Sequence, residues 1–389
     1  MIRFVELTPP GRGAIATLLV EGPGAWAVVA SRFRPSGGRP CTSLSPRQIA
    51  FGHFDLSSGN PAQPAVEATS LPGEEVVVRC RSDDSVELHC HGGTAAVAAI
   101  GQVLAEQGCR DVCWQEWIAN QRSDPIAAAA RLALAQVRTE RTALILLDQY
   151  HGALRTAVAA VRQSLAGGDL PGAREQLAAL LGRADLGLHL TDPWRVVLAG
   201  WPNVGKSSLI NALLGYQRAI VHPTPGTTRD VVAASTALEG WPVEFRDTAG
   251  LRTGGHPVEQ AGVARARDEL RSGDLVLLIF DATEPWSTAA EALCRSRPDG
   301  LVVHNKCDLP AASGPERAAG HWTSALTGEG IERLVRALVA RLAPRPPLPG
   351  DPVPFTAEQL DHLRLALASL DRDDAASADA ALERMLADG

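Results

Sequence analysis

Gly200-Trp201-Pro202-Asn203-Val204-Gly205-Lys206-Ser207 stands between an apolar run that ends at Ala199 and an amphipathic stretch that begins at Ser207. The eight residues match G-x-x-x-x-G-K-[ST]. The glycines let backbone N–H groups turn inward around a polyphosphate, Lys206 reaches the terminal phosphates, and the Ser207 hydroxyl can hold Mg²⁺. Such a pattern arises by chance in some chains, so the strand before it and the helix after it carry much of the weight. Both are present, and Asn203, Val204, Gly205, Lys206, Ser207 and Ser208 are read as a nucleotide-binding loop.

Outward from this loop, over about 194–343, apolar strands at 195–199, 243–245, 275–280, 301–303 and 322–325 alternate with helical stretches. That alternation predicts an α/β, doubly wound and mostly parallel sheet, with ligand loops at the carboxyl ends of the strands. On the amino-terminal side, 126–190 is rich in Ala, Leu and Arg at helical spacing, interrupted at Gly167-Gly168 and Pro171. The first 110 residues hold short alternating strands such as 14–20 and 76–80 between Pro/Gly turns, a small α/β unit. On the carboxyl side the proline-rich 344–354 reads as a linker, and Thr356-Ala357-Glu358-Gln359 as the cap of a further helical stretch. The expected organisation is an N-terminal α/β domain over 1–118, a helical domain over 119–192, the nucleotide domain over 193–345, and a linker with the second helical part over 346–389. The nucleotide domain is thus inserted into a split helical domain.

With 389 residues, 45% of them hydrophobic and 21% charged, the chain is globular and long enough for two or three domains. Its net charge of −7 supplies no global positive field for nucleic acid, so any RNA contact needs a local basic face. No apolar run approaches the roughly 20 residues of a membrane span, and Met1-Ile2-Arg3-Phe4-Val5-Glu6 lacks a signal pattern. A soluble, cytoplasmic protein is expected. Seven cysteines without framework spacing suit a reducing compartment. Cys109 and Cys113 with His89 and His91 fit no zinc spacing, and the cysteines read as ordinary buried thiols.

Asn305-Lys306-Cys307-Asp308 directly follows the strand 301–303. A carboxylate at Asp308 accepts from both N1–H and N2–H₂ of guanine, a donor pair adenine lacks, so Asp308 selects GTP. Asn305 braces the loop, Lys306 lies along the base, and Ser324-Ala325-Leu326 offers backbone N–H to the guanine O6. Asp247-Thr248-Ala249-Gly250 ends another strand, where Asp247 can hold Mg²⁺ through water and Gly250 can meet the γ-phosphate. In Pro225-Gly226-Thr227-Thr228-Arg229-Asp230 a threonine completes the Mg²⁺ shell, Thr228 in first place and Thr227 next. The residue after Asp-Thr-Ala-Gly is Leu251, not the water-orienting glutamine of common small GTPases. Arg252, Glu259 and Gln260 are the candidates to replace it, and a monovalent cation is a candidate substitute for an arginine finger.

Together with Thr8-Pro9-Pro10-Gly11-Arg12-Gly13 and Val86-Glu87-Leu88-His89-Cys90-His91-Gly92-Gly93, these motifs resemble the tRNA modification GTPase MnmE, or TrmE, family. The resemblance runs nearly end to end. It implies that Asn203 coordinates K⁺, that Glu259 positions the attacking water through a bridging water, and that K⁺ replaces the arginine finger when two G domains meet in a homodimer. It further implies an N-terminal domain that dimerises and binds a tetrahydrofolate derivative, tRNA as substrate, and an FAD-dependent MnmG partner. The implied activity is K⁺- and Mg²⁺-dependent GTP hydrolysis serving 5-carboxymethylaminomethyl-type modification of the tRNA wobble uridine, with Glu259, Lys206 and Thr228 as catalytic residues.

Three segments depart from the family pattern. Arg384-Met385-Leu386-Ala387-Asp388-Gly389 replaces a terminal Cys-(Ile/Leu)-Gly-Lys, Arg81-Ser82-Asp83-Asp84-Ser85 replaces Ser-Tyr-Thr-Gly-Glu-Asp, and the region of Trp114-Gln115-Glu116-Trp117-Ile118 lacks the usual pattern. These departures support an alternative, a divergent GTPase switch or binding module without the tRNA chemistry. Arg12 and His91 are candidates for the folate domain, or for a turn-stabilising salt bridge and a satisfied core histidine.

Overall fold

A computed structural model describes residues 1–9, 13–36, 48–57, 73–119, 124–216, 233–247 and 273–387. The chain divides into two compact units, Met1–Arg122 and Ser123–Gly389.

Unit one contains β1 (Arg3–Glu6), β2 (Ile15–Glu21), α1 (Ala25–Arg32), β3 (Phe33–Pro35), β4 (Ile49–Phe54), β5 (Glu74–Ser82), β6 (Ser85–His91), α2 (Thr94–Glu106), β7 (Arg110–Asp111) and α3 (Trp114–Ala119). The strands form one seven-stranded sheet in the order β3-β4-β5-β6-β2-β1-β7, antiparallel except for the β1–β7 pair. Alternation decides its core. Ala16, Leu18 and Val20 of β2, Val86 and Leu88 of β6, and Val76 and Val78 of β5 pack with Val29 of α1 and with Ile100 and Leu104 of α2.

The two segments that carry the family resemblance in this unit are neighbours. β2 and β6 pair with Ile15 opposite His91 and Thr17 opposite His89, and the Gly92 amide donates to the Ala14 carbonyl at 3.0 Å. A Cβ on Gly92 would stand 2.1 Å from the Gly13 carbonyl oxygen. A residue without a side chain is therefore required where the two segments cross.

Unit two begins with α4 (Pro125–Leu134), α5 (Glu140–Tyr150), α6 (Ala153–Ala166), α7 (Leu170–Leu181) and α8 (Ala184–Leu188). Pro171 lies inside the first turn of α7, where its missing N–H leaves no helical bond unmade, and Asp169 caps the Gly172 amide at 3.0 Å. The expected interruption there is a helix start. The alternating part follows, with β8 (Trp194–Ala199), α9 (Lys206–Tyr216), β9 (Ala233–Leu238), β10 (Trp241–Asp247), β11 (Leu275–Asp281), α10 (Thr288–Ser296), β12 (Leu301–Asn305), β13 (His321–Trp322) and α11 (Ile331–Leu342). The sheet order is β13-β12-β11-β8-β10-β9, parallel throughout except that β9 runs antiparallel to β10. The edge strand β9 carries no strong apolar pattern. It is set by a tight hairpin at Glu239-Gly240, both at positive φ (48° and 85°). Strand β13 ends at Trp322, short of the expected 325, because the Ser324 amide turns to the Glu329 carbonyl.

The chain closes with α12 (Ala357–Leu370) and α13 (Ala375–Leu386). Thr356 and Gln359 form a full capping box at the start of α12. Both helices return to the earlier ones: α12 packs on α7 and α13 on α6 and α4. Arg162 of α6 grips Asp379 of α13 with two bonds of 2.6 and 2.9 Å, which holds that carboxyl below its ordinary range. The proline-rich stretch expected as a linker is a docked strap. Arg183 pairs with Asp351 at 3.1 Å, Gln149 donates to the Asp351 carbonyl at 3.0 Å and accepts from the Val353 amide at 3.1 Å, and Val353 is fully buried.

Candidate functional site

The glycine loop runs from the end of β8 into the first turn of α9, the helix end at which backbone N–H groups are unsatisfied and the dipole is positive. Two of its residues, Asn203 and Gly205, hold positive φ of 67° and 94°. Gly205 is required twice over, because a Cβ there would stand 2.3 Å from the Asn305 amide nitrogen. Lys206 is 5% exposed, and its ammonium donates to the carbonyls of Gly200 at 3.1 Å and Trp201 at 3.0 Å. The lysine charge is thereby centred in the loop.

Ser207 and Ser208 are exposed at the start of α9, and the Ser207 hydroxyl donates to Asp247 Oδ2 at 3.2 Å. Forty residues apart in sequence, the hydroxyl and the carboxylate meet because β10 lies beside β8 in parallel register. A hydroxyl next to a carboxylate is an all-oxygen set of the kind a hard divalent cation takes. Asn203 projects from the same loop and is exposed.

The base-side residues are gathered by one buried side chain. Asn305, 1% exposed at the end of β12, donates through Nδ2 to the Val204 carbonyl at 2.9 Å and accepts at Oδ1 from the Ala325 amide at 3.1 Å. Thr323, fully buried, reaches the same Oδ1 at 3.5 Å, and its carbonyl takes the Cys307 amide at 3.0 Å. Asn305 therefore ties the phosphate loop, its own loop and the 324–326 turn together. Asp308 is exposed beyond it, Ser324 is buried with its hydroxyl accepting from the Thr327 amide at 3.1 Å, and Leu326 is 87% exposed.

Lys306 adopts φ 65°, and its ammonium pairs with Asp281 Oδ2 at 2.5 Å. Burial pushes the Asp281 carboxyl up, but the bonds from Lys306 and Thr283 outweigh it and hold the group below its ordinary value. Asp281, Thr283, Thr323 and Arg317 escaped the sequence reading. The available signal was a charged residue closing the run Leu275-Val276-Leu277-Leu278-Ile279-Phe280-Asp281, at a strand end where ligand loops gather. Thr227, Thr228, Gly250 and Glu259, with Leu251, Arg252 and Gln260, lie outside the described residues. In unit one, His89 Nδ1 is 3.0 Å from the Thr17 hydroxyl and His91 Nδ1 is 2.6 Å from Glu74. His91 is exposed with its ring against the Glu74 carboxylate, so its reading as a core histidine is corrected, and Cys113 is exposed while Cys109 is buried, so the buried-thiol reading is corrected at Cys113. Among the described residues no helix is long and apolar enough to cross a membrane.

Two family models match the chain. The one described as "GTP-binding protein TrmE N-terminus" covers residues 4–113, and the one described as "50S ribosome-binding GTPase" covers 195–306. Several curated proteins described as tRNA modification GTPase MnmE align over most of their length. That of Parasynechococcus marenigrum is 33% identical over 96% of this chain and 86% of its own. That of Chloroflexus aurantiacus is 34% identical over 86% and 80%, and that of Symbiobacterium thermophilum 35% identical over 86% and 81%.

Proposed function

Because this chain belongs to the family of tRNA modification GTPases MnmE, we propose that its GTP hydrolysis is K⁺- and Mg²⁺-dependent and serves 5-carboxymethylaminomethyl-type modification of the tRNA wobble uridine. The observation that carries the nucleotide half of this reading is Asn305, which binds Val204 of the phosphate loop and Ala325 of the base-side turn at once. A single rigid frame then sets the distance from base to phosphate.

In the proposed site the N–H groups of Val204, Gly205, Ser207 and Ser208 surround the phosphates, and Asp308 accepts from the guanine edge while Ala325 and Leu326 face its O6. Ser207, Thr228 and, through water, Asp247 would hold Mg²⁺, which would supply charge neutralisation for the phosphates, and Asn203 would offer an oxygen to K⁺. Water attacks the γ-phosphorus, and the bridging oxygen leaves with GDP. Lys206, held in the loop by the carbonyls of Gly200 and Trp201, meets the charge that develops on the phosphate oxygens. Glu259 orients the water, and Gly250 and Thr227 line the γ-phosphate.

We further propose a homodimer whose G domains meet across K⁺, an MnmG-like FAD-dependent partner, a cytoplasmic location, and a tetrahydrofolate derivative in unit one. The last follows from the family resemblance, with His91, whose ring stands 2.6 Å from Glu74, and Arg12, outside the described residues, as its candidate residues. The test is complementation of a strain lacking MnmE, with the wobble uridine scored by mass spectrometry and hydrolysis measured in K⁺ and in Na⁺. Restored modification with faster turnover in K⁺ is expected. K⁺-stimulated hydrolysis without modification overturns the tRNA role and leaves the GTP-driven switch.

A further inference from the structure

Asp281 closes β11 beside Asn305 of β12, and its side chain is 5% exposed, the environment in which an ionised carboxylate needs a partner. It has several. Oδ1 accepts from the Thr283 amide at 2.8 Å and from the Thr283 hydroxyl at 2.7 Å, and Oδ2 takes the Lys306 ammonium at 2.5 Å. Lys306 holds a left-handed backbone, which a long unbranched side chain adopts only when its surroundings impose it. The backbone of this loop is fastened separately. The Ala282 amide donates to the Asn305 carbonyl at 2.8 Å, and Arg317 donates to the carbonyls of Asp281, Ala282 and Glu284. Arg317 is set in turn over the rings of Trp286 and Trp322, each 5.9 Å away.

We propose that Asp281 is a positioning residue for guanine-nucleotide binding: its carboxylate anchors the Lys306 ammonium so that the lysine stem forms one wall of the base site. The proposal rests on the reading of Asn305 to Asp308 as the guanine-binding loop. The anchor works on the base side, so it acts on GDP and GTP alike and leaves the phosphate chemistry to Lys206. Arg317 and Thr283 keep the loop in place when the charge is removed, which makes Asp281→Asn a substitution of charge and not of fold.

Fluorescent GDP and GTP analogues, titrated against the full chain, test the idea. Asp281→Asn is expected to weaken both by about tenfold, the scale of one lost charge-assisted bond. The KM for GTP should rise in step while kcat changes by less than about twofold, and the melting temperature should hold. In a Lys306→Gln background the same substitution is expected to have no further effect, whereas a merely structural role would give an undiminished effect. Asp281→Glu should recover part of the affinity. Unchanged affinity in Asp281→Asn, or full additivity with Lys306→Gln, overturns the proposal. Asp308→Asn separates the two layers: if it leaves guanine preference intact, the base-site reading falls with this one. If guanine preference relaxes and Asp281→Asn is silent, only the Asp281 anchor falls.

Discussion

The two sheets of this chain use side chains in opposite ways. In unit one β6 alternates half-buried and buried residues, so one face packs on α1 and α2 and the other carries polar side chains such as Glu87 and His89. In unit two β11 is buried at every one of its positions, and helices cover both faces. A strand buried on both faces can present chemistry only at its end. The candidate nucleotide residues of unit two accordingly sit at the ends of β8, β10, β11 and β12, where the backbone leaves the sheet. In unit one the polar residues lie along the strands themselves, and the requirement falls on the crossing of two backbones at Gly13 and Gly92. The candidate motifs are thus placed by loop geometry in one sheet and by strand register in the other.

The sharpest way to break this comparison is at the strand ends. Lys206→Ala is expected to lower kcat/KM for GTP by at least about a hundredfold, since it removes the charge that follows the leaving oxygen. Single-turnover hydrolysis checks this. Asn305→Ala should come next, weakening GDP by about ten- to a hundredfold because the buried Val204 carbonyl and Ala325 amide both lose a partner. Calorimetry would measure it, and an unaltered affinity would show that the two loops do not need their common tie.

In unit one, Gly92→Ala is expected to destabilise by about 2 kcal/mol or more, since backbone must move to admit the methyl group. Denaturant unfolding followed in the N-terminal unit is the measurement, and a neutral result would refute the close crossing. The smallest effect expected is on pH dependence. His304 is fully buried in β12, and burial lowers its pKa below 6.5 in spite of the bond to the Ala318 carbonyl. Protons therefore bind the unfolded chain first, and the stability from this residue is complete above about pH 6.5 and is lost as pH falls below it. In His304→Gln the slope of melting temperature between pH 7 and pH 5 should be shallower.

Local patterns made much of the candidate nucleotide site legible. The phosphate loop and Asn305-Lys306-Cys307-Asp308 are continuous segments whose residue types are fixed by the atoms they meet, so spacing and a preceding strand identify them. The capping box at Thr356 and Gln359 is legible for the same reason. Asp281 is not, because one aspartate at the end of an apolar strand acquires meaning only when Lys306, twenty-five residues on, lies beside it. The strap at Asp351 and Val353 shows the converse. Its prolines predict a chain with few internal bonds, which is accurate locally, while Gln149 of α5 and Arg183, just ahead of α8, supply the missing partners from 204 and 169 residues earlier.

The sequence by itself determined the GTPase class, the family, and the residue types of the loops, since these depend on short-range chemistry that a ligand or a turn imposes on consecutive residues. Tertiary structure alone decided that Asn305 ties Val204 to Ala325, that Asp281 holds Lys306, that Gly92 must yield space to Gly13, and that the proline strap is docked. The physical reason is the same in each case. Hydrogen bonds and close contacts depend on distances of a few ångströms, and strand order, not sequence separation, sets those distances.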